Sequence, residues 1–443
     1  MSKMPGSLGP LRHPGFRLLV AGQLASNMGD AFYAVALPWY VLADHGGVLL
    51  LATVLAAYGV PRTGLLVVGG YASDRWRPWV VMMVADSVRA VAVAGLALVA
   101  FSGPANSDLL VPIAVLLGAG EGLFLPGSFA IVPTLLPSEH LQAGNALTSG
   151  GTELATLIGP AVGGAVVALL GPAAAFAVDA ISFVASAATL AGIRSHQGTE
   201  RAVIVEGMGA ASGVPAPEGD AAATSEHRPQ ARAQLTLGQF VASERALQVF
   251  LVVLVAANLG SGGMIQVALP ALAHGPFHAG AGGYGALLAA VGGGALLGTI
   301  IAAQARTVRQ PALIASMGFL IEAGCLAAIP YLGGAVLAGV ALGAFGALNG
   351  FGTIIMLTAF QRWAPPQMIG RLMALLMFAA LGAFPVSVIL GGFVVRWLGP
   401  GAFFPLAATL LAVAILLGLT QGSWRSFGVA HDVVTAASWY PNE

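Results

Sequence analysis

Eight ionisable side chains fall inside long apolar runs of this 443-residue chain: Asp30, Arg62, Asp86, Arg89, Glu121, Glu153, Asp179 and Glu322. Charge is otherwise scarce, with 8% Asp, Glu, Lys and Arg against 57% hydrophobic residues. A charge at the centre of a membrane helix costs about 2.5–3.5 kcal/mol on insertion scales, so residues of this kind face one another, a partner group or water. Carboxyls held away from bulk solvent are suited to proton uptake and release near neutral pH. Seven of the eight lie in the first half of the chain and only Glu322 in the second. Proton handling is therefore assigned to the first half, with Asp30, Glu121, Glu153 and Asp179 as the coupling candidates and Arg62, Asp86 and Arg89 as their charge partners. The second half is expected to supply an apolar wall.

The spacing refines these roles. Asp86 and Arg89, three apart on one helix, are expected to pair, which by itself is a structural salt bridge. Arg62 follows Pro61 at a depth close to that of Asp30 on the adjoining span, and reads as its counter-ion. Glu121 stands in "GAGEGLF". Its neighbours Gly118, Gly120 and Gly122 are expected to leave space beside the carboxylate, and Gly29 and Gly122 to border a cavity. Glu322 reads as a locally hydrogen-bonded group. Tyr33, Trp39, Asn258, Gln266, Asn349 and Phe384 are candidates to line a substrate cavity, with ordinary packing the competing reading for each.

These residues must be positioned by membrane helices. Apolar runs of eighteen or more residues can each cross about 30 Å of hydrocarbon, and lipid admits only segments that satisfy their own backbone hydrogen bonds. Runs such as "AVAVAGLALVAF" do not alternate, which excludes barrel strands. The pattern predicts twelve spans, near 16–42, 48–72, 78–102, 108–135, 142–169, 172–193, 247–272, 282–304, 311–330, 333–361, 368–395 and 400–421. Residues 195–245, with "GMGAASGVPAPEGDAAATSEHRPQARAQ", lack an apolar face and read as a linker. The expected division is 1–194, a first six-helix bundle; 195–245, a cytoplasmic linker; 246–421, a second bundle; and 422–443, a cytoplasmic tail. Of the eighteen Lys and Arg residues, Arg62 and Arg89 lie within spans and Arg396 near one side; all the others fall on the opposite side. By the positive-inside rule that side, with both termini, is cytoplasmic. The amino terminus carries no apolar core followed by a cleavage site, so no signal peptide is expected. The lone cysteine, Cys325, excludes an intrachain disulfide and a multi-cysteine metal site.

One charge cluster lies outside the spans. "GGYASDRWRPW", residues 69–79, puts Asp74, Arg75 and Arg77 in the short turn between the second and third spans. A weak repeat, "PTLLPSEHLQAGNAL" against "QRWAPPQMIGRLMAL", fits two related halves. "VGGGALLG", residues 291–298, has no preceding strand and lies mid-span, so it is read as helix packing, as are Gly339, Gly343, Gly346 and Gly350. No Ser-His-Asp order, phosphate loop or metal cluster can be named, and there is no basic, aromatic-laced surface for nucleic acid. No enzymatic activity, cofactor or metal is expected.

The chain resembles the major facilitator superfamily, and within it the bacterial drug:proton antiporter branch that includes macrolide and siderophore exporters. The resemblance rests on "FRLLVAGQLASNMGDAFYAVALPWYVL" with its Gly29–Asp30 pair, on the Gly70–Asp74–Arg75 loop followed by "VADSVRA", on "IGPAVGG" at 158–164, and on "LTAFQRWAPPQMIGRLMAL". The loop departs from the family pattern, since Arg77–Pro78 replaces its usual Gly-Arg continuation. The resemblance implies an all-α integral membrane protein of twelve transmembrane helices in two six-helix bundles related by a pseudo-two-fold. It implies a cell-membrane transporter that works as a monomer and exports a mainly apolar or cationic small molecule in exchange for protons. Uptake, or a lipid-like cargo, is the alternative within that class; a non-transporting sensor or assembly factor is the second class. It also implies that Asp74 meets the start of the eleventh span near Ile369–Arg371 in one conformation, a latch with Arg371 as a second partner. The other reading of that loop is a topology marker.

Overall fold

In the computed structural model, residues 6–43, 47–211, 237–304, 308–365 and 368–428 are described. The described chain is helical throughout: α1 (Pro14–Ala43), α2 (Gly47–Arg75), α3 (Pro78–Ser102), α4 (Ser107–Leu135), α5 (Leu141–Leu170), α6 (Pro172–Ala211), α7 (Leu237–Ser243), α8 (Arg245–Gly263), α9 (Leu269–His274), α10 (Gly280–Gln304), α11 (Pro311–Ala328), α12 (Ala335–Trp363), α13 (Ile369–Leu398), α14 (Phe403–Thr420) and the short α15 (Gly422–Arg425). A π turn, Met264–Ala268, joins α8 to α9, and the two form one 30-residue span. Among the described residues, eleven spans are long and apolar enough to cross a membrane. The twelfth, α1, has the length, about 45 Å at 1.5 Å per residue, but its polar face of Gln23, Ser26, Asn27 and Asp30 lowers its hydropathy.

The helices group by contact. In the first half α1 packs on α5 and α6, α3 on α4 and α6, and α2 on α4; in the second, α12 packs on α10 and α11, and α8 on α13 and α14. Glycine sets the closest of these approaches. A Cβ on Gly294 or Gly298 would collide with the α12 backbone at Gly343 and Ala347, and one on Gly346 or Gly350 with α10 at Val291 and Ala295. "VGGGALLG" is thus a helix-packing surface, as the small-residue pattern implies.

The halves meet chiefly along α5–α10 and α2–α13, and α1 also touches α9, α10 and the π turn. Gly164 and Gly285 bring α5 against α10, and Gly292 packs on Thr156. Gly59 on α2 receives the Phe384 ring of α13, Gly392 receives Ala52, and Thr63 Oγ1 donates to the Leu381 carbonyl at 3.2 Å. Trp39 on α1 lies edge-on to His274 on α9, 5.2 Å between centroids. All these contacts lie between mid-depth and the end away from Arg75 and Arg77. At the basic end, a Cβ on Gly70, Gly150 or Gly370 would meet nothing within 4 Å. The apolar cluster there, with Phe16, Trp79, Met82 and Ile193, stays within the first half. Among the described residues, the close contacts between the halves thus gather toward one end and leave the basic end without one.

Two segments depart from the sequence expectation. α6 runs on to Ala211, and α7 also lies inside the expected 195–245 linker; residues 212–236 fall outside the described ones. The start of the expected tail is packed rather than free. Trp424 and Phe427 are each 1% exposed and stack at 5.9 Å. Phe250 and Trp363 complete the aromatic cluster around them, which also includes Phe240 of α7 beside Trp363.

Candidate functional site

The first-half charges form one cluster, assembled by glycines. On α4, a Cβ on Gly118 would overlap the Tyr58 carbonyl, one on Gly122 would press on the Arg62 carbonyl, and one on Gly120 would strike the Arg89 stem. The three bare positions therefore let α2 and α3 close on Glu121 from both sides. They do not open space beside the carboxylate, as their small size suggested. Arg62 Nη2 lies 2.9 Å from Glu121 Oε1, and the Tyr58 hydroxyl donates to Oε2. The Arg62 guanidinium also stands over the Tyr58 ring, 5.7 Å from its centroid.

Gly29 does the same for α1. A Cβ there would run into Ser182 and Asp179 of α6, so neither Gly29 nor Gly122 borders a cavity. The next residue, Asp30, reaches Arg89 Nη2 at 2.7 Å, while Arg89 Nη1 stands 3.5 Å from Asp86 Oδ1. The Arg89 guanidinium lies over Phe183 at 4.0 Å from the ring centroid, a contact favourable for a desolvated cation. The counter-ion of Asp30 is therefore Arg89, and Arg62 belongs to Glu121. The reason is topological: α1 and α2 are consecutive but touch little, whereas α6 holds α1 and α3 together.

Exposure grades across the cluster. The side chain of Asp30 is 43% exposed and Glu121 20%, whereas Asp86 and Asp179 are at 0%. A cavity of about 20 Å³ lies among Asp30, Tyr33, Tyr58, Arg89, Glu121 and Asp179, room for about one water. Asp86 Oδ2 and Asp179 Oδ2 have no hydrogen-bond partner among the described residues. Glu153 is half-buried on α5; it does not line this cavity and enters none of the three ion pairs among the described residues.

A larger cavity, about 420 Å³, lies in the second half between α8, α11, α12 and α13, with Trp424 in its wall. Asn258 and Asn349 line it. Behind Asn349 stands Glu322, 2% exposed, accepting from Asn349 Nδ2 at 3.2 Å; this is the local hydrogen bond expected for it. The second half is therefore more than an apolar wall. The other cavity candidates lie elsewhere. Tyr33 packs on Phe176, 6.0 Å between centroids, within the charge cluster. Trp39 closes the far end, Gln266 sits in the π turn, and Phe384 lies in the α2–α13 seam against Tyr58.

At the basic end, Asp74, Arg75 and Arg371 are exposed, and no ion pair joins them among the described residues. Asp74 and Arg75 lie in the last turn of the α2 helix rather than in the turn expected for them, and a Cβ on Gly70 or on Gly370 at the start of α13 would meet nothing within 4 Å.

Two groups of the site escaped the sequence reading. Tyr58 precedes Arg62 by one helical turn, so an i, i+4 pair was the available signal. Trp424 was signalled by two large aromatics, Trp424 and Phe427, in a nominal tail.

Two interlocked helical halves, closed at one end and enclosing intramembrane charge, define a multi-pass membrane protein with the major facilitator fold. A solved D-xylose–proton symporter has the same architecture, with a TM-score of 0.66 over 91% of this chain and 96% of that one at 13% identity. A family model described as transmembrane secretion effector matches residues 5–213, the stretch that holds the whole charge cluster. The multidrug efflux pump Tap of Mycobacterium tuberculosis is 34% identical over 165 residues, 35% of this chain and 38% of the pump's length. The uncharacterized MFS-type transporter y4rN of Sinorhizobium fredii is 25% identical over 425 residues, 95% of this chain and 93% of that one. The chain thus resembles the drug- and siderophore-exporting branch of the superfamily.

Proposed function

We propose that this protein is a secondary active transporter that exports a mainly apolar or cationic small molecule in exchange for protons. The observation that carries the reading is the charge balance of the first-half cluster. Four carboxyls, Asp30, Asp86, Glu121 and Asp179, surround two guanidiniums, Arg62 and Arg89. Fully ionised, the cluster holds two uncompensated negative charges in a low-dielectric site, and two protons balance it. Asp30, the most exposed member, is the entry point for a proton; Glu121, Tyr58 and Arg62 adjoin the α2–α13 seam and carry the change to the interface between halves.

On this reading the open, basic end faces the cytoplasm, and the protein sits in the cell membrane with both termini inside. In the alternate state the basic end closes. Asp74 then meets the start of α13, where unpaired N–H groups and the helix dipole favour a carboxylate by up to ~2 kcal/mol. The exchange is tested in vesicles reconstituted with the purified monomer under an imposed pH gradient. Asp30→Asn and Glu121→Gln should each lower gradient-driven export about tenfold, equivalent to ~1.4 kcal/mol of coupling, and change substrate affinity little. Wild-type export and stoichiometry in both variants would remove the assignment.

A further inference from the structure

The charge balance of the first-half cluster leaves the role of Asp179 open. Its side chain is fully buried, at 0% exposure. Oδ1 accepts from Ser182 Oγ at 3.4 Å, while Oδ2 has no hydrogen-bond partner among the described residues. A buried acceptor without a donor is costly, and more so when it is charged. Asp179 lines the cavity of about 20 Å³, and so do Tyr58 and Glu121. Asp30, Tyr33 and Arg89 are the other ionisable groups around that space, with Arg62 behind Glu121 and Asp86 behind Arg89.

Tyr58 is held so that its hydroxyl is the part free to turn. Its carbonyl lies against Gly118, where a Cβ would overlap it. The Arg62 guanidinium stands over the ring at 5.7 Å, and Phe384 meets the ring edge-on at 6.4 Å. The hydroxyl donates to Glu121 Oε2, and Arg62 Nη2 takes Oε1 at 2.9 Å. A proton that reaches Glu121 therefore goes to Oε2, since Arg62 holds the other oxygen. Oε2–H is then itself a donor, and two donors cannot face each other. The phenol oxygen accepts from it instead, and the phenol O–H rotates into the cavity, where Asp179 lacks a donor.

We propose that Tyr58 is a relay: its hydroxyl serves Glu121 when that carboxyl is ionised and, across one water, Asp179 when Glu121 is protonated, and the same chain passes one proton between the two carboxyls. A cavity of this volume has room for about one water, and proton transfer through one water is within reach of such groups. In the transfer, Asp179 Oδ2–H gives its proton to the water, the water gives one to the Tyr58 oxygen, and Tyr58 gives its own to Glu121 Oε2. One O–H bond breaks and one forms at the water and at the phenol, so both emerge unchanged and the net charge of the cluster is constant. The proposal deepens the proton-exchange reading and rests on it for the net direction of proton flow; the switch itself is local and needs no transport.

The test is infrared difference spectroscopy of the purified full-length protein at neutral pH, in the C=O stretching region of protonated carboxyls. A band present in the wild type and absent from Asp179→Asn reports Asp179 as the acid. Glu121→Gln mimics the protonated partner: Arg62 keeps the amide oxygen, which puts the Nε2 donor beside Tyr58. It should lower the Asp179 band at least about twofold, within reach of one hydrogen bond to a charged group. Removing the Glu121 charge acts in the same sense whatever stands at position 58, so the relay is isolated by adding Tyr58→Phe, which should return most of the band. Adding Tyr33→Phe instead should not. Tyr58→Phe keeps the ring between Arg62 and Phe384, and melting temperature establishes that each variant is folded. Should Tyr58→Phe misfold, the wild type and Glu121→Gln still decide, because an unaltered band overturns the relay. An Asp179 band missing from the wild type, or one that falls irrespective of Tyr58, would overturn it too. The pH response of the distance between halves at the basic end is measured in parallel. A Tyr58-dependent band without a pH response removes the exchange reading and keeps the relay; a pH response with a band indifferent to Tyr58 does the reverse.

Discussion

The two halves hold their intramembrane polar groups in opposite ways. In the first, four carboxyls and two guanidiniums interlock around a space of about 20 Å³. In the second, one carboxyl, Glu322, sits behind an amide beside a space of about 420 Å³. Glycine placement makes much of the difference. Gly118, Gly120 and Gly122 draw α2 and Arg89 onto α4, which squeezes out volume and locks charges together. In the second half the glycines of α10 and α12 face each other. An adjoining face of α12 carries Asn349, Thr353 and Met356 toward α8 and α13, and there room remains. The lesson is that, within one fold, glycine placement decides whether helices close on charged groups or leave room beside them.

The comparison can be broken most forcefully at Arg89. Its replacement by leucine strands Asp30, Asp86 and Asp179 without their shared cation, and should cost about 3–5 kcal/mol of stability. Thermal unfolding of the purified protein reads this directly; a loss below about 1 kcal/mol would mean that the cluster is not held together by charge. Next in size is Gly118→Ala, whose methyl would overlap the Tyr58 carbonyl and should cost about 1–3 kcal/mol as overpacking. Gly150→Ala meets open space and should be neutral or slightly stabilising, within about 1 kcal/mol. Equal effects of the two alanines would dismiss the glycine argument. Smallest is Asp74→Asn. Its carboxylate is exposed in this conformation, so stability should move by no more than about 0.5 kcal/mol. Turnover should slow several-fold to about thirtyfold, for a loss of up to ~2 kcal/mol at a helix start. Unchanged turnover would leave residues 74–77 as a topology marker.

Much of the fold was legible in the residues because charge is so rare in them: each basic turn interrupts an apolar run, and the helices begin and end within a few residues of those turns. The α6 overrun was not, since residues 195–211 carry no apolar face to announce a helix. Nor was the packing of Trp424 and Phe427, which depends on aromatic partners distant in sequence, Phe250 and Trp363. Within the site, the identity of the buried charges could be read, and so could the Asp86–Arg89 pair, because i, i+3 contacts are local. The Asp30–Arg89 and Arg62–Glu121 pairs could not. They depend on which helices are neighbours, and chain order suggested α1 beside α2, where the fold places α6 between α1 and α3. The glycines of "GAGEGLF" misled for a related reason: a missing side chain leaves space only if no backbone moves in to fill it.

The central claim is that protonation of the first-half cluster governs which end of the molecule is open. Spin labels on Arg77→Cys and Gln361→Cys, both exposed at the basic end, in a Cys325→Ser background, report the distance between halves there. This conformation encloses Asp86 and Asp179 in a cluster with excess negative charge, and two protons relieve that excess. Acidification from about pH 8 to about pH 5 should therefore enrich the long-distance, basic-end-open population. Asp30→Asn combined with Glu121→Gln should hold that population high at every pH. A distance distribution indifferent to pH, or one that shifts toward the closed basic end in acid, would contradict the account.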